Sequence, residues 1–137
     1  MTPVLKLLQC SNLGGMEKVS IEAMNALQAQ GFAFRIVTPR PFGPAREALA
    51  AIDPEAADNP YRGKFGILSH GTFVKKVRKR HEPGMPVWLT GTDAASLRAM
   101  AGLKGRKVLA HHYHHFENRL SAVTWRLFYE VGCRPLD

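Results

Sequence analysis

Three polar stretches carry the residue types that could do chemistry in this chain of 137 residues. Each stretch directly follows an apolar run of the kind that forms a buried strand. Short polar loops at strand ends are where binding and catalytic groups concentrate. The candidates are Asn12, Gly14 and Gly15 in the first stretch, Thr92 and Asp93 in the second, and His112, His114 and His115 in the third.

The glycine pair Gly14-Gly15 could form a phosphate site. Adjacent glycines allow a ligand to approach the backbone closely. Helical spacing begins at Met16, and the start of a helix offers free N–H groups and the positive end of a dipole. An anion, most often a phosphate, is the usual guest at such a place. A tight strand-to-helix turn that binds nothing fits the same residues, so the pair alone leaves both interpretations open.

The histidine-rich stretch also has two interpretations. Imidazoles there could orient a substrate or stabilise developing charge, or they could be exposed and without a role. A metal site is disfavoured because only Glu117 is close enough in sequence to join the histidines as an acidic ligand. Alternation along a strand would also send His112 and His114 to one side and His115 to the other. We therefore expect no metal.

A basic segment accounts for most of the net charge of +8. Between Tyr61 and His81 there is no Asp or Glu, and the seven cations are Arg62, Lys64, Lys75, Lys76, Arg78, Lys79 and Arg80. Such a cluster favours phosphate-bearing partners, namely anionic lipid headgroups, nucleic acid or phosphorylated substrates. The solvated face of a helix accounts for the run equally well.

The elements that must position these residues alternate between strand and helix. Apolar runs at residues 4–8, 32–38, 86–90 and 107–111 predict buried strands, and helical spacing follows at 16–27, 71–81, 94–103 and 118–131. A short helix over 45–52 and a weak strand over 64–68 lie between the second and third runs. This alternation predicts an α/β fold: an open, mainly parallel, Rossmann-like sheet with helices on both faces. The three polar stretches then meet at the carboxyl edge of the sheet.

Several classes of protein are disfavoured by what the sequence lacks. It has no G-x-G-x-x-G turn, no acidic residue ending the second strand, no G-K-[ST] and no G-x-S-x-G. No apolar run approaches the roughly 18 residues of a membrane helix, and no signal peptide is apparent. The two cysteines have no CxxC spacing. We therefore expect a single domain, residues 1–137, in a reducing cytoplasm.

The first strand, turn and helix resemble the opening of the family 4 glycosyltransferases, which are retaining enzymes of the GT-B fold. The residues that carry the resemblance are Gly14-Gly15-Met16-Glu17-Lys18-Val19, Leu27, Gly31-Phe32 and Ile36-Val37-Thr38-Pro39. The similarity is close over residues 4–39, looser beyond them, and returns at 108–112, which looks like the family's apolar strand ending in a histidine.

The resemblance implies roles for particular residues. Gly14 and Gly15 would approach the diphosphate or sugar of a nucleotide-sugar donor, which is a substrate and not a cofactor. Glu17 would hold the turn and the start of the helix, and His112 would be the active-site histidine beside the sugar. Further acceptor or cleft residues would be Asn12, Thr92, Asp93 and His114. Residues 90–93 depart from the H-x-H that often follows that strand in the family.

The resemblance also implies partners. The chain would be the acceptor-side domain, about the first third of an enzyme whose missing C-terminal domain holds most of the donor. It would act on a glycan, lipid or small acceptor in cell-envelope or polysaccharide biosynthesis, without turnover in isolation. Residues 75–80 would dock on an anionic membrane at its inner face. The alternative is a stand-alone basic module for anionic membrane or nucleic acid. Nucleic acid is less favoured because only Phe65 and Phe73 lie near the cations.

Overall fold

The computed structural model describes residues 1–8, 15–38, 43–57, 67–90 and 94–110. The strands in these ranges are β1 (Thr2–Leu8), β2 (Phe32–Val37), β3 (Val87–Thr90) and β4 (Lys107–Ala110). The helices are α1 (Gly15–Gln28), α2 (Arg46–Ile52), α3 (Ile67–Arg80) and α4 (Ala94–Ala101), with a 3₁₀ turn at Pro54–Ala57. The predicted α/β class is confirmed: a parallel, open, Rossmann-like sheet is flanked by helices.

The four described strands form one sheet in the order β2-β1-β3-β4, and every neighbouring pair is parallel. The chain steps from β1 outward to β2 and then crosses back past β1 to β3. The strand order therefore reverses between β1 and β3. Open α/β sheets bind ligands beyond the carboxyl ends of the strands at such a reversal point.

Helices cover both faces of the sheet. On one face β1 and β2 pack against α1 and α2, and the buried residues there are Val4, Leu8, Met24, Phe34, Ile36, Ala45, Leu49 and Ala56. On the other face β1 and β3 pack against α3 and α4, with Leu5, Leu7, Phe73, Val77, Leu89, Leu97 and Met100 among the buried residues. Alternation along β1 supplies both cores. Burial on both faces is why these strands have nearly continuous apolar sequences.

Helix α3 is longer than its sequence pattern predicts. It begins at Ile67 instead of Gly71, so Ile67 and Leu68, predicted to end a weak strand, are helical. A short apolar run cannot be distinguished from a helical turn by periodicity alone. Gly71 is accommodated within the helix at a cost of about 1 kcal/mol relative to alanine. The predicted helix over 118–131 lies outside the described residues.

Gly105, between α4 and β4, can hold no side chain. Its φ is 141°, and a Cβ atom there would lie 2.5 Å from the carbonyl oxygen of Met85. We expect Gly105→Ala to lower the free energy of unfolding by about 1–3 kcal/mol. Gly71→Ala is the matched control because nothing lies within 4 Å of a Cβ there, and it should raise stability by up to about 1 kcal/mol. Urea unfolding checks both, and equal effects would contradict the assignment.

Candidate functional site

The carboxyl edge of the sheet brings together the starts of all three predicted loops. Leu8 of β1 is in register with Thr90 of β3, and Thr90 is in register with Ala110 of β4. Neighbouring strands lie about 4.8 Å apart, so the three strand ends span roughly 10 Å. The predicted site residues Asn12, Gly14, Thr92, Asp93, His112 and His114 lie outside the described residues. The anchors of their loops are thus adjacent at the reversal point.

Two predicted residues of the first loop and helix are described. Gly15 begins α1, and Glu17 lies in the first turn of that helix. Glu17 is 5% exposed and shares the buried side of α1 with Ser20 and Met24. A carboxylate in the first turn of a helix interacts favourably with the helix dipole. This position is compatible with the role predicted for Glu17, which is to hold the start of the helix, and that role stays a prediction.

A residue that the sequence analysis did not single out lies directly beneath this edge. Lys6 is in the middle of β1, with no exposed surface, and its Nζ donates a hydrogen bond to Oγ1 of Thr90. Nζ also lies 3.5 Å from the ring centroid of Trp88. Oγ of Ser20 is 3.2 Å from the same Oγ1 of Thr90. This Lys6–Thr90–Ser20 network joins β1, β3 and α1 at the reversal point.

Burial changes the chemistry of Lys6. Loss of hydration disfavours the charged ammonium and lowers the pKa of Lys6 from 10.5 to about 6. The hydrogen bond and the Trp88 ring both favour the charged form, but desolvation outweighs them. No ion pair within the described ranges includes Lys6. At neutral pH the side chain of Lys6 is mainly a neutral amine, which still donates its hydrogen bond to Thr90. Lys6 therefore holds the side chain of Thr90 in place.

A signal for Lys6 was present in the sequence. It is the only polar residue in the apolar run of residues 4–8. Strand alternation places it on the same face as Val4 and Leu8, which is a buried face. A charged group at such a position needs a partner or a shifted pKa. The pattern of residues 4–8 alone therefore predicts that Lys6 is buried and either paired or shifted in pKa.

The five cations predicted to form an anion-binding surface lie on α3, and one of them is buried. Lys75, Arg78 and Lys79 are exposed and Lys76 is partly buried. Arg80 is only 8% exposed. Helical spacing explains the difference, because Phe73, Val77 and Arg80 share one side of the helix and the first two are fully buried.

Arg80 belongs to a buried ion pair and not to the exposed set. Its guanidinium donates to both carboxylate oxygens of Asp53, at 2.7 and 3.2 Å, and to the carbonyl oxygen of Ile36 at 2.8 Å. The backbone N–H of Ile36 donates to Asp53 at 2.7 Å. Arg80 therefore ties the end of α3 to β2 and to the residue that precedes the 3₁₀ turn.

A cavity of about 590 Å³ lies between α3, β2 and the 3₁₀ turn. Its lining residues are Arg35, Glu55, Thr72, Lys75, Lys76, Lys79 and Arg80. The lysines were predicted from the sequence, whereas Arg35 and Glu55, which come from separate elements, were not. Arg35 interrupts the apolar run of β2 as Lys6 interrupts that of β1. This cavity adjoins the outer strand of the described sheet and not the reversal point.

In the ranges that the structure describes, no group of three or more His, Cys, Asp or Glu side chains is arranged to hold a metal ion. None of the helices in these ranges has the length and apolar character needed to cross a bilayer.

No family model matches the sequence, and no curated protein and no solved structure is similar enough to count as a match.

Proposed function

We propose that this chain is the N-terminal, Rossmann-like domain of a retaining GT-B-fold glycosyltransferase. It would transfer a sugar from a nucleotide-sugar donor to a glycan, lipid or small-molecule acceptor. The observation that carries the proposal is the register of Leu8, Thr90 and Ala110 across the reversal point. Because of this register, the three predicted loops begin side by side at the edge where sheets of this class bind ligands. The resemblance at Gly14-Gly15-Met16-Glu17 supplies the sugar chemistry.

Each part of the edge has a role in this proposal. The free N–H groups at the start of α1 suit the negative diphosphate of the donor. Gly14 and Gly15 would allow its close approach, and His112 would lie beside the transferred sugar. Thr90, held from beneath by Lys6 and Ser20, fixes the point from which the loop with Thr92 and Asp93 begins. A rigid base improves the positioning of loop residues that contact a substrate.

The donor is shared with a second domain in this proposal, because the resemblance assigns most donor contacts to the C-terminal half of a GT-B enzyme. These 137 residues would then supply one wall of a cleft. We expect weak donor binding and no sugar transfer by the purified chain. Detectable turnover by the chain alone would contradict this part of the proposal.

Donor binding can be mapped by a titration of ¹⁵N-labelled protein with UDP-glucose and GDP-mannose. We expect dissociation constants of about 1 mM or weaker, because only half of the contacts are available. Amide shifts should concentrate at Leu8, Gly15 and Thr90, the described residues of the carboxyl edge. Free glucose, which lacks the diphosphate, is the control and should move none of them. Shifts that are absent, or that are confined to α3, would oppose the proposal.

A basic module for nucleic acid is less well supported than the transferase. Single-stranded nucleic acid is bound by stacking bases on exposed aromatic rings. Phe73 is fully buried in the core, and Phe65 lies outside the described residues. Residues 71–80, whose side chains the structure describes, therefore offer cations but no exposed aromatic ring. Salt-dependent binding of DNA or RNA, with no response to nucleotide sugars, would favour the module instead.

A further inference from the structure

We propose that the cavity between α3, β2 and the 3₁₀ turn binds a phosphate group that carries at least two negative charges. A diphosphate or a phosphate monoester meets this description. The cavity, of about 590 Å³, falls within the range of small-molecule sites. It lies along the outer strand β2 and away from the reversal point, so the inference does not rest on the proposed transferase function.

Three turns of α3 form one wall of the cavity. Thr72, Lys75 and Lys79 recur at spacings of three and four and therefore share one side of the helix. All three residues are exposed. Arg35 enters from β2, with about a third (35%) of its side chain exposed. A ligand in the cavity would meet a hydroxyl and ammonium groups on one side and a guanidinium on the other.

The charges in the cavity divide into two groups. Arg35 is paired with Glu82 at 2.6 Å, and Arg80 is paired with Asp53 at 2.7 Å. No ion pair among the described residues includes Lys75 or Lys79. Lys76 interacts with another residue, so Lys75 and Lys79 are the lining cations available to a ligand.

The two lysines also repel each other. Like charges four residues apart on a helix are destabilising by a few tenths of a kcal/mol, and α3 contains no Asp or Glu to offset them. The negative end of the helix dipole stabilises cations only in the last turn. Lys75 lies before that turn. A bound anion would relieve the repulsion directly.

Phosphate suits these groups better than a carboxylate. A phosphate with two charges can accept from two ammonium groups and a hydroxyl through separate oxygens. A carboxylate has one charge and two oxygens to offer. Glu55 is the single acidic residue of the lining, and its carboxylate lies 3.5 Å from Nε of Arg80. Glu55 therefore pairs with Arg80, and no ion pair among the described residues joins it to Lys75 or Lys79.

Calorimetric titration of the whole chain with inorganic pyrophosphate tests the site. At an ionic strength of about 10 mM the Debye length is about 30 Å, which preserves charge interactions. We expect binding by the unmodified chain and a dissociation constant at least about tenfold higher for K75Q/K79Q. K75R/K79R retains both charges and should bind. K18Q/K104Q removes two exposed lysines that do not line the cavity and should change the constant by less than about twofold. Coincident thermal melts would show that every variant folds.

Failure of the unmodified chain to bind pyrophosphate would overturn the proposal, as would equal losses in K75Q/K79Q and K18Q/K104Q. Vesicles then identify the natural source of the phosphate. Binding to vesicles containing phosphatidic acid, displaced by pyrophosphate, would indicate a lipid headgroup. Pyrophosphate binding that such vesicles do not compete with would indicate a soluble ligand. Vesicle binding that persists in K75Q/K79Q would count against the cavity.

Discussion

Lys6→Met is expected to raise the free energy of unfolding at pH 7 by about 4 kcal/mol. The lysine has a pKa of about 6 in the folded protein and 10.5 as a free side chain. Keeping it unprotonated at pH 7 therefore costs about 5 kcal/mol, at about 1.4 kcal/mol per pKa unit. Methionine has a similar length and no charge, and its sulfur can contact the ring of Trp88. The lost hydrogen bond to Thr90 offsets about 1 kcal/mol of the gain.

The pH dependence of stability provides a sharper test of the same group. The folded-state pKa is depressed, so between pH 6 and pH 10.5 the unfolded chain binds the proton that the folded chain excludes. Stability of the unmodified protein should therefore increase with pH across that window, by about 1.4 kcal/mol per unit from this residue. The loss of stability caused by burying Lys6 is absent above pH 10.5 and grows as the pH falls toward 6. Below pH 6 this loss no longer changes with pH.

The measurement is a series of urea unfolding curves for the unmodified protein and Lys6→Met between pH about 6 and about 9. The free energies of unfolding of the two proteins should converge as the pH rises. Other titrating groups cancel in the difference between them. Lys18→Met, at an exposed position on α1, is the control and should stay within about 0.5 kcal/mol of the unmodified protein. A stability difference for Lys6→Met that does not vary with pH would show that Lys6 is charged in the folded state.

A lysine that costs this much stability lies where the proposed site would use it. Residues that break local rules and are retained at a cost in stability concentrate at functional sites. Lys6 holds the Oγ1 of Thr90 at the reversal point, where the second predicted loop begins. Lys6→Met should therefore be more stable while holding that strand end less firmly. The amide shifts of Thr90 in the donor titration would report the change.

The layout of the fold could be predicted because it depends on local patterns. Apolar runs and helical spacing lie in contiguous sequence, and they located all four described strands. The same patterns placed the predicted loops at one edge, since the ends of parallel strands must meet there. They missed the start of α3 because the residues before Gly71 form too short an apolar run to identify a helical turn.

The polar contacts could not be predicted in the same way because their partners are distant in sequence. Lys6 and Thr90 are 84 positions apart, and Arg80 and Asp53 are 27 apart. Arg80 looked like one more cation of an exposed run. Its spacing of three from Val77 places Arg80 on the buried side of α3, but the run itself does not show that Asp53 pairs with it there. Composition can count such charges, but the packing decides which of them are available to a ligand.

Asp53→Ala is expected to lower the free energy of unfolding by about 3–5 kcal/mol. The carboxylate of Asp53 accepts two bonds from Arg80 and one each from the backbone N–H groups of Ile36 and Glu55. Its removal leaves the buried guanidinium with only the largely exposed Glu55 carboxylate, 3.5 Å from Nε, as an anion, and it leaves the buried N–H of Ile36 without its acceptor. Both losses carry the desolvation cost of the unpartnered group. Chemical denaturation of the two proteins at neutral pH measures the difference.

The control is a second ion pair in the same neighbourhood. Glu82 pairs with Arg35 at 2.6 Å, slightly closer than the 2.7 Å of Asp53 and Arg80, but the Glu82 side chain is 59% exposed. Glu82→Ala should therefore cost no more than about 1 kcal/mol, since water replaces the lost partner. Equal losses from the two substitutions would show that burial does not set the strength of the Asp53 contact.

The double variant Asp53→Leu/Arg80→Met separates the value of the pair from the penalty of breaking it. Replacing a whole buried ion pair with apolar side chains is often neutral or stabilising. We expect the double variant to be more stable than Asp53→Ala, although the N–H of Ile36 still lacks an acceptor. If instead it is the least stable of the set, the pair itself contributes most of the energy that joins α3 to β2. The cavity beside it would then depend on that pair for its shape, and pyrophosphate binding should fall in parallel with stability.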